Sequence, residues 1–471
     1  MNSERQKYFL FFVFVLICVS SGVFASGYRI EVKIEGFEQD ELYLAYHYGN
    51  NQYVKDTVYA GADKNFVFKG EEALPAGMYM IVTPPNNNYF EVLIDKNEQN
   101  FSIRTEIDDL AGNVEIFGEA PQNRLFYSYI QFLGEKRKIV EQLQLEKESA
   151  NQERAAEIDQ NLMAIDDEVT ARLDKLISEN PTSFLSSILK AQQNITIPKF
   201  EGDEAEVQLK QYYYYREHYF DKTDFSNPGL LRTSFLFNKI NYYIEKLTVQ
   251  QPDSLIQSID YFLSLLNPDG ETFKYYLIHF LNKYAKSKYI GMDAVYVHIA
   301  LNYYAKGLAP WSDKDELEKI VNNGKTLEPL LVGKIAPDFT LQGQSGADVN
   351  LHKFDAKYTV LYFWRENCKK CVEQIPELKL IQNIYAKDGL KVFTVCTALG
   401  DDVKKNWEFI EAKNLTSWTN TADPYKIVEV MKLYDIKFSP QLYLLDKDKK
   451  ILSKKIAVSQ LEEVMQNLLK D

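Results

Sequence analysis

The chain has 471 residues, 45% hydrophobic and 26% charged, with a formal net charge of −13. Its length exceeds one ordinary domain and calls for about two to four. The acidic balance argues against a nucleic-acid partner, and the globular composition argues against a disordered chain.

The first 25 residues read as an address rather than as fold. Arg5 and Lys7 form a basic start, residues 8–19 are apolar, and Val23-Phe24-Ala25 places small residues where a signal peptidase cuts. The apolar run is short for a membrane span, and no later segment is apolar enough to cross. Cys18 raises the alternative of a lipoprotein, but Ile17 stands where a small residue is expected before the lipidated cysteine. The expectation is therefore signal cleavage after Ala25 and export to the periplasm or cell envelope, with no integral membrane segment left.

Residues 26–118 read as β. Tyr28, Ile30, Val32 and Ile34 alternate with Arg29, Glu31 and Lys33, and shorter alternations recur at Leu42/Leu44, Phe66/Phe68, Met78/Met80 and Phe101/Ile103. Turn clusters such as Gly49-Asn50-Asn51 and Pro84-Pro85-Asn86-Asn87-Asn88 separate them. Short strands punctuated this way predict an antiparallel β-sandwich. Its aromatics alternate as a core would, so no site is assigned to it.

Residues 119–325 change period. The spacing predicts helix over 123–178, ended by Asn180-Pro181, and further helices near 204–220, 230–247, 254–266, 271–289 and 293–304. No heptad or fixed repeat runs through them, which predicts an irregular α-helical domain.

Residues 326–471 alternate strand and helix. A small hairpin at 339–351 precedes an apolar strand at 358–364, a helix from Cys368, a strand at 392–396 and a helix at 401–411. A hairpin at 441–456 across Asp446-Lys447-Asp448 and a final helix follow. This is a βαβ unit followed by ββα.

The chemistry lies in Cys368-Lys369-Lys370-Cys371, at the junction of that apolar strand and the next helix. Thiol–disulfide exchange needs this arrangement: a thiolate favoured by a helix N-terminus and a second thiol close enough to resolve the mixed disulfide. Besides Cys18, one further cysteine, Cys396, sits in an apolar strand and reads as a buried small hydrophobe. Zinc is the competing reading of a C-x-x-C, but no second such pair closes a tetrahedral set, and His47, His218, His279, His298 and His352 are scattered. No metal and no cofactor are expected.

The order of elements, with Phe363-Trp364 ahead of the cysteine pair, resembles the thioredoxin fold. Three features make it similar to the exported TlpA/ResA-like branch: the entry Val332-Gly333-Lys334-Ile335-Ala336-Pro337-Asp338-Phe339, Pro376 five residues after Cys371, and 69 positions between Cys371 and Pro440. Ser439-Pro440 stands where that family carries its cis-proline loop, which implies a substrate-binding role for both residues. The upstream parts more weakly resemble β-rich and helical domains of unknown function that precede such thioredoxin domains.

The chain also departs from the family. Trp-Cys-x-Pro-Cys is replaced by Asn367-Cys368-Lys369-Lys370-Cys371, Tyr362 stands in place of a buried Asp or Asn, and Gln374 replaces a Glu that assists proton transfer. Lys369 and Lys370 place positive charge beside Cys368 and should favour its thiolate, predicting a couple more oxidising than thioredoxin's roughly −270 mV. The peroxidase alternative is poor, because Arg365 occupies the position where peroxiredoxins need Thr.

The resulting expectation is an exported thiol:disulfide oxidoreductase, with Cys368 attacking and Cys371 resolving. Its partners would be protein disulfides and an unidentified redox partner. The alternative is a non-catalytic envelope interaction protein with a degenerate thioredoxin domain.

Overall fold

The computed structural model describes residues 27–61 and 63–470. The proposed signal peptide and Cys18 lie outside the described residues. No helix among those described is long and apolar enough to cross a membrane.

The N-terminal alternation resolves into β1 (Tyr28–Glu35), β2 (Glu41–Tyr48), β3 (Asn51–Tyr59), β4 (Asn65–Gly70), β5 (Gly77–Thr83), β6 (Asn88–Ile94), β7 (Asn100–Glu106) and β8 (Glu115–Gly118). They form two four-stranded sheets, ordered β4-β1-β7-β8 and β3-β2-β5-β6. Tyr28, Ile30, Val32 and Ile34 are all buried, as their period of two requires. The expectation of a purely antiparallel sandwich needs one correction. β1 and β7 run parallel, Ile30 opposite Phe101 and Val32 opposite Ile103, so the first sheet is mixed. Antiparallel neighbours can be joined by a tight turn, but β1 and β7 are separated by five intervening strands, and that long connection permits a parallel pairing.

The helices are α1 (Pro121–Lys147), α2 (Gln152–Glu179), α3 (Phe184–Gln192), α4 (Glu204–Glu217), α5 (Ser234–Glu245), α6 (Pro252–Ser264), α7 (Glu271–Ala285), α8 (Asp293–Ile299) and α9 (Lys314–Leu327). The long helical stretch at 123–178 breaks at residues 148–151. There Asn151 caps α2, its Oδ1 accepting the Arg154 backbone N–H at 2.9 Å. Asn123 fixes α1 on β6: its side chain accepts from Leu93 N at 2.8 Å and donates to Leu93 O at 2.7 Å while fully buried. A buried amide satisfied in this way specifies the docking, because an unpaired one would lose about 1–3 kcal/mol.

Two helices escaped the sequence pattern. α3 is only nine residues long, so its apolar set Phe184, Leu185, Ile188 and Leu189 spans little more than one turn. α9 is largely polar and carries Gly324, which weakens a helix by about 1 kcal/mol against Ala. That glycine has a packing reason: a Cβ there would stand 3.0 Å from the Ala300 Cβ, in the π-helical turn Ala300–Tyr304 that continues α8.

Compactness divides the chain into two units. One holds residues up to 194 together with 222–236; the other holds 195–221 and everything from 237 onward. The second unit therefore contains α4, α6 to α9 and the C-terminal fold.

That fold comprises β9 (Thr340–Gly343), β10 (Asp348–Asn350), β11 (Tyr358–Trp364), α10 (Lys369–Ile384), β12 (Leu390–Cys396), α11 (Val403–Ala412), β13 (Thr419–Ala422), α12 (Val430–Leu433), β14 (Gln441–Leu445), β15 (Ile451–Lys454) and α13 (Val458–Leu468). Its sheet is ordered β10-β9-β13-β12-β11-β14-β15. β11 lies inside it, parallel to β12 and antiparallel to β14. Both its faces are covered. Val360, Tyr362 and Trp364 pack with Ile375, Leu378 and Ile381 of α10 and with Leu461 and Met465 of α13. Leu361 and Phe363 pack on the opposite face with Phe393, Tyr434 and Tyr443. Each such side chain contributes about 1.5–3 kcal/mol, so β11 is held firmly where it must deliver the cysteine pair.

His279 of α7 packs edge-on to Phe237 at 5.2 Å between ring centroids and beside Phe280. Burial, helped by the nearby Lys283 charge and opposed by Glu245, lowers its pKa to about 4. Since the unfolded imidazole titrates near 6.5, the stability linked to neutral His279 is fully present above pH 6.5 and is lost as pH falls from 6.5 toward 4. All four tryptophans (311, 364, 407 and 418) lie in the second unit, so their fluorescence reports its unfolding. Between pH 7.5 and pH 5, urea unfolding followed this way should show the native chain losing about 2 kcal/mol more than His279→Gln. Equal losses would show that His279 is not the linked group.

Candidate redox site

β11 ends at Trp364, and the chain crosses a short turn to Cys368, the N-cap of α10. Cys368 has extended backbone angles, and its Sγ accepts the backbone N–H of Cys371 at 3.2 Å. That contact occupies one of the donors a helix start leaves free, and it lies at the positive end of the helix dipole. A thiolate formed at this sulfur would be stabilised by both. Cys371 sits one turn in, fully buried, and is joined to Cys368 by a disulfide with Cα atoms 5.2 Å apart. The more accessible cysteine is thus Cys368, which is half-buried, while Cys371 is fully covered.

The Ser439-Pro440 peptide is cis. Ser439 O lies 3.5 Å from Cys368 Sγ, and Ser439 Oγ lies 2.9 Å from Thr397 Oγ1. Thr397 is tied in turn to Trp364 O through its backbone N–H at 2.8 Å. The end of β11, the residue after β12 and the entry to β14 therefore meet around Cys368. Sequence reasoning did not single out Thr397; its place directly after the apolar run ending at Cys396 was the available signal.

Lys369 and Lys370 occupy the first two helical positions, and both are solvent-exposed. The Lys369 side chain is 90% exposed, and its Nζ lies 3.9 Å from Glu373 Oε1. Charges so placed are screened by water, and that of Lys369 also by this carboxylate.

Beneath the pair stands Tyr362, buried on the α10 face of β11. Its hydroxyl lies 3.4 Å from both Cys371 O and Gln374 Oε1. Burial raises the Tyr362 pKa, so it remains a neutral phenol at neutral pH. Gln374 and Tyr362 thus brace the first turn of α10 without supplying an acid–base group. Cys396 is free and buried, packed with Ala398 and Ala422, and its thiol is pushed up to about 12 chiefly by burial. Such a thiol is inert at neutral pH.

Fold and cysteine pair together define a thioredoxin-like thiol–disulfide oxidoreductase domain. Residues 332–454 match the AhpC/TSA family, while residues 28–137 and 137–325 match two domains of unknown function, DUF4369 and DUF5106. The chain is similar to the thiol-disulfide oxidoreductase ResA of Bacillus thuringiensis subsp. konkukian, with 28% identity over 143 residues, 30% of this chain and 79% of that protein. ResA of Geobacillus thermodenitrificans is 29% identical over 144 residues, 29% of this chain and 76% of its own. Among solved structures, a thioredoxin-like protein from Bacteroides caccae aligns over 58% of this chain and 99% of its own, with 22% identity and a TM-score of 0.42. The C-terminal segment is accordingly an AhpC/TSA-type, thioredoxin-like domain homologous to ResA, preceded by DUF4369 and DUF5106 domains.

In the reduced, native protein at pH 7, iodoacetamide should modify Cys368 first and leave Cys396 untouched until denaturant is added. Peptide mapping by mass spectrometry reads both rates. Cys396 reacting as fast as Cys368 would contradict its burial.

Proposed function

We propose that this chain is an exported thiol:disulfide oxidoreductase acting on protein disulfides in the cell envelope. In the reductive direction the Cys368 thiolate attacks one sulfur of a substrate disulfide. A mixed disulfide forms, and the other substrate sulfur leaves as a thiolate. Cys371, deprotonated, then attacks Cys368 Sγ, closing the Cys368–Cys371 disulfide and releasing the second substrate thiolate. Two electrons pass to the substrate, and the same steps reversed oxidise a dithiol. The observation that carries this reading is the placement of Cys368 Sγ, at once on the Cys371 N–H at the helix start and beside Ser439 O. Ser439 and Pro440 would hold an extended stretch of substrate by backbone pairing, in the manner of an added strand.

The envelope location is supported by the basic start, the apolar run and the Val23-Phe24-Ala25 cleavage signal. Lys369 and Lys370 serve as secondary aids to the thiolate. At low salt, replacing both with Gln should slow Cys368 alkylation at pH 7 by about twofold, and the difference should vanish in high salt. A tenfold loss would instead make them the principal source of reactivity.

Insulin reduction with dithiothreitol tests the enzymatic reading directly. The native chain should accelerate turbidity, Cys368→Ser should not, and Cys371→Ser should accumulate mixed disulfides with its substrates. Equal rates for the native chain and Cys368→Ser would favour a binding module in place of an enzyme.

A further inference from the structure

A cleft of about 330 Å³ lies inside the second unit, between the α7–α8 region and the thioredoxin-like fold. One wall is the loop Lys288-Tyr289-Ile290; the other carries Asp435, Lys437, Lys454 and Lys455. Lys437 is two residues from Ser439, so at most about 7 Å of chain joins the cleft wall to the group touching Cys368 Sγ.

Two properties of this cleft point to an occupant. Its charge is opposite to that of the chain: four lysines face two aspartates, in a protein whose net charge is −13. Asp293 is taken up by the buried Lys454, and Asp435 is shared between Lys437 at 3.4 Å and Lys455 at 3.0 Å, so the lysines are in surplus. Large apolar groups also stand in water along the cleft and the segment leading from it to the cysteine pair: Tyr289 is 80% exposed, Ile290 46% and Phe438 70%. Isolated exposed apolar residues are ordinary, but here two line the basic cleft and the third stands between Lys437 and Ser439 in the chain.

We propose that this cleft is a second substrate subsite. It would take the polypeptide flanking the substrate cysteine, with an acidic side chain against Lys288 and Lys437 and an apolar one against Tyr289 and Phe438. The helical segment would thereby contribute to substrate choice, on a surface continuous with the redox centre. This inference rests on the oxidoreductase reading.

The test uses the reduced full-length chain and two synthetic peptides, each carrying one cysteine as a thionitrobenzoate mixed disulfide. One has Glu and Leu within four residues of the cysteine; the other has Lys in place of Glu. Hydroxyethyl disulfide, small and neutral, serves as the control substrate. At low salt the native chain should release thionitrobenzoate from the acidic peptide about fivefold faster than from the basic one. Because Lys369 and Lys370 would also favour the acidic peptide, the decisive reading is Lys288→Glu, remote in sequence from the cysteines. It should cut the preference to about twofold or less while leaving the hydroxyethyl disulfide rate unchanged. Lys288→Gln should shift it in the same direction by less. Tyr289→Ser should slow both peptides about threefold and spare the small disulfide. An unchanged acidic-to-basic ratio in both Lys288 variants overturns the subsite while leaving the oxidoreductase reading intact. A native chain inert toward hydroxyethyl disulfide overturns that reading, and the subsite with it.

Discussion

The site depends on one junction: the passage from the buried strand β11 into the first turn of α10. β11 is covered on both faces and paired on both edges, so its C-terminal end is fixed in position. The helix that follows leaves its first N–H groups without intrahelical partners, and Cys368 Sγ takes one of them. At this position the backbone N–H and the helix dipole favour the thiolate, whose proton can pass to solvent. The geometry at Cys368 rests on the strand end and the helix start, with Asn367, Lys370, Tyr362 and Gln374 around it.

The substitution below the pair has a consequence for proton movement. A buried carboxylate would shuttle the proton of the second thiol, but Tyr362 is a high-pKa phenol and Gln374 does not titrate. Cys371 is fully buried, so in the proposed exchange its proton would have no titrating side chain beneath the pair to leave to. The two sulfurs therefore lie in unlike environments. The first sulfur meets solvent and a helix dipole; the second meets a phenol and the core.

What could be read from residues alone divides along physical lines. The C-terminal order of strands and helices was legible because a continuous apolar strand, a C-x-x-C and a later proline each carry a local signal. The alternation in β1 was legible for the same reason, since its period of two survives in the burial of Tyr28, Ile30, Val32 and Ile34. The parallel pairing of β1 with β7 was not, because no turn joins them and pairing across a long connection leaves no local mark. α3 is only nine residues long and α9 is mostly polar, so each carries few apolar residues to announce a helix. At the site, the cysteine pair could be found from its spacing and Ser439-Pro440 from the family resemblance, but Thr397 and the exposure of Lys369 and Lys370 are products of tertiary packing.

The segment before Ser439 shows how the fold fixes the second side of the site. Asp435 and Lys455 both adopt left-handed backbone angles, φ 50° and 55°, without being glycine. Such conformations cost on the order of 1 kcal/mol or more each and persist only where surroundings enforce them. Here the enforcement is visible: Asp435 holds Lys455 at 3.0 Å, and the adjacent Lys454 is buried against Asp293. Buried ion pairs are poor sources of net stability, since desolvation offsets much of their attraction, but they penalise any arrangement that separates them. The pairs thus restrict how residues 435–440 can lie more than they strengthen the fold. Ser439 O lies 3.5 Å from Cys368 Sγ, so a restricted loop keeps the group proposed to pair with substrate beside the sulfur. Asp293 belongs to α8 and not to the thioredoxin-like fold, so the helical segment takes part in setting that geometry.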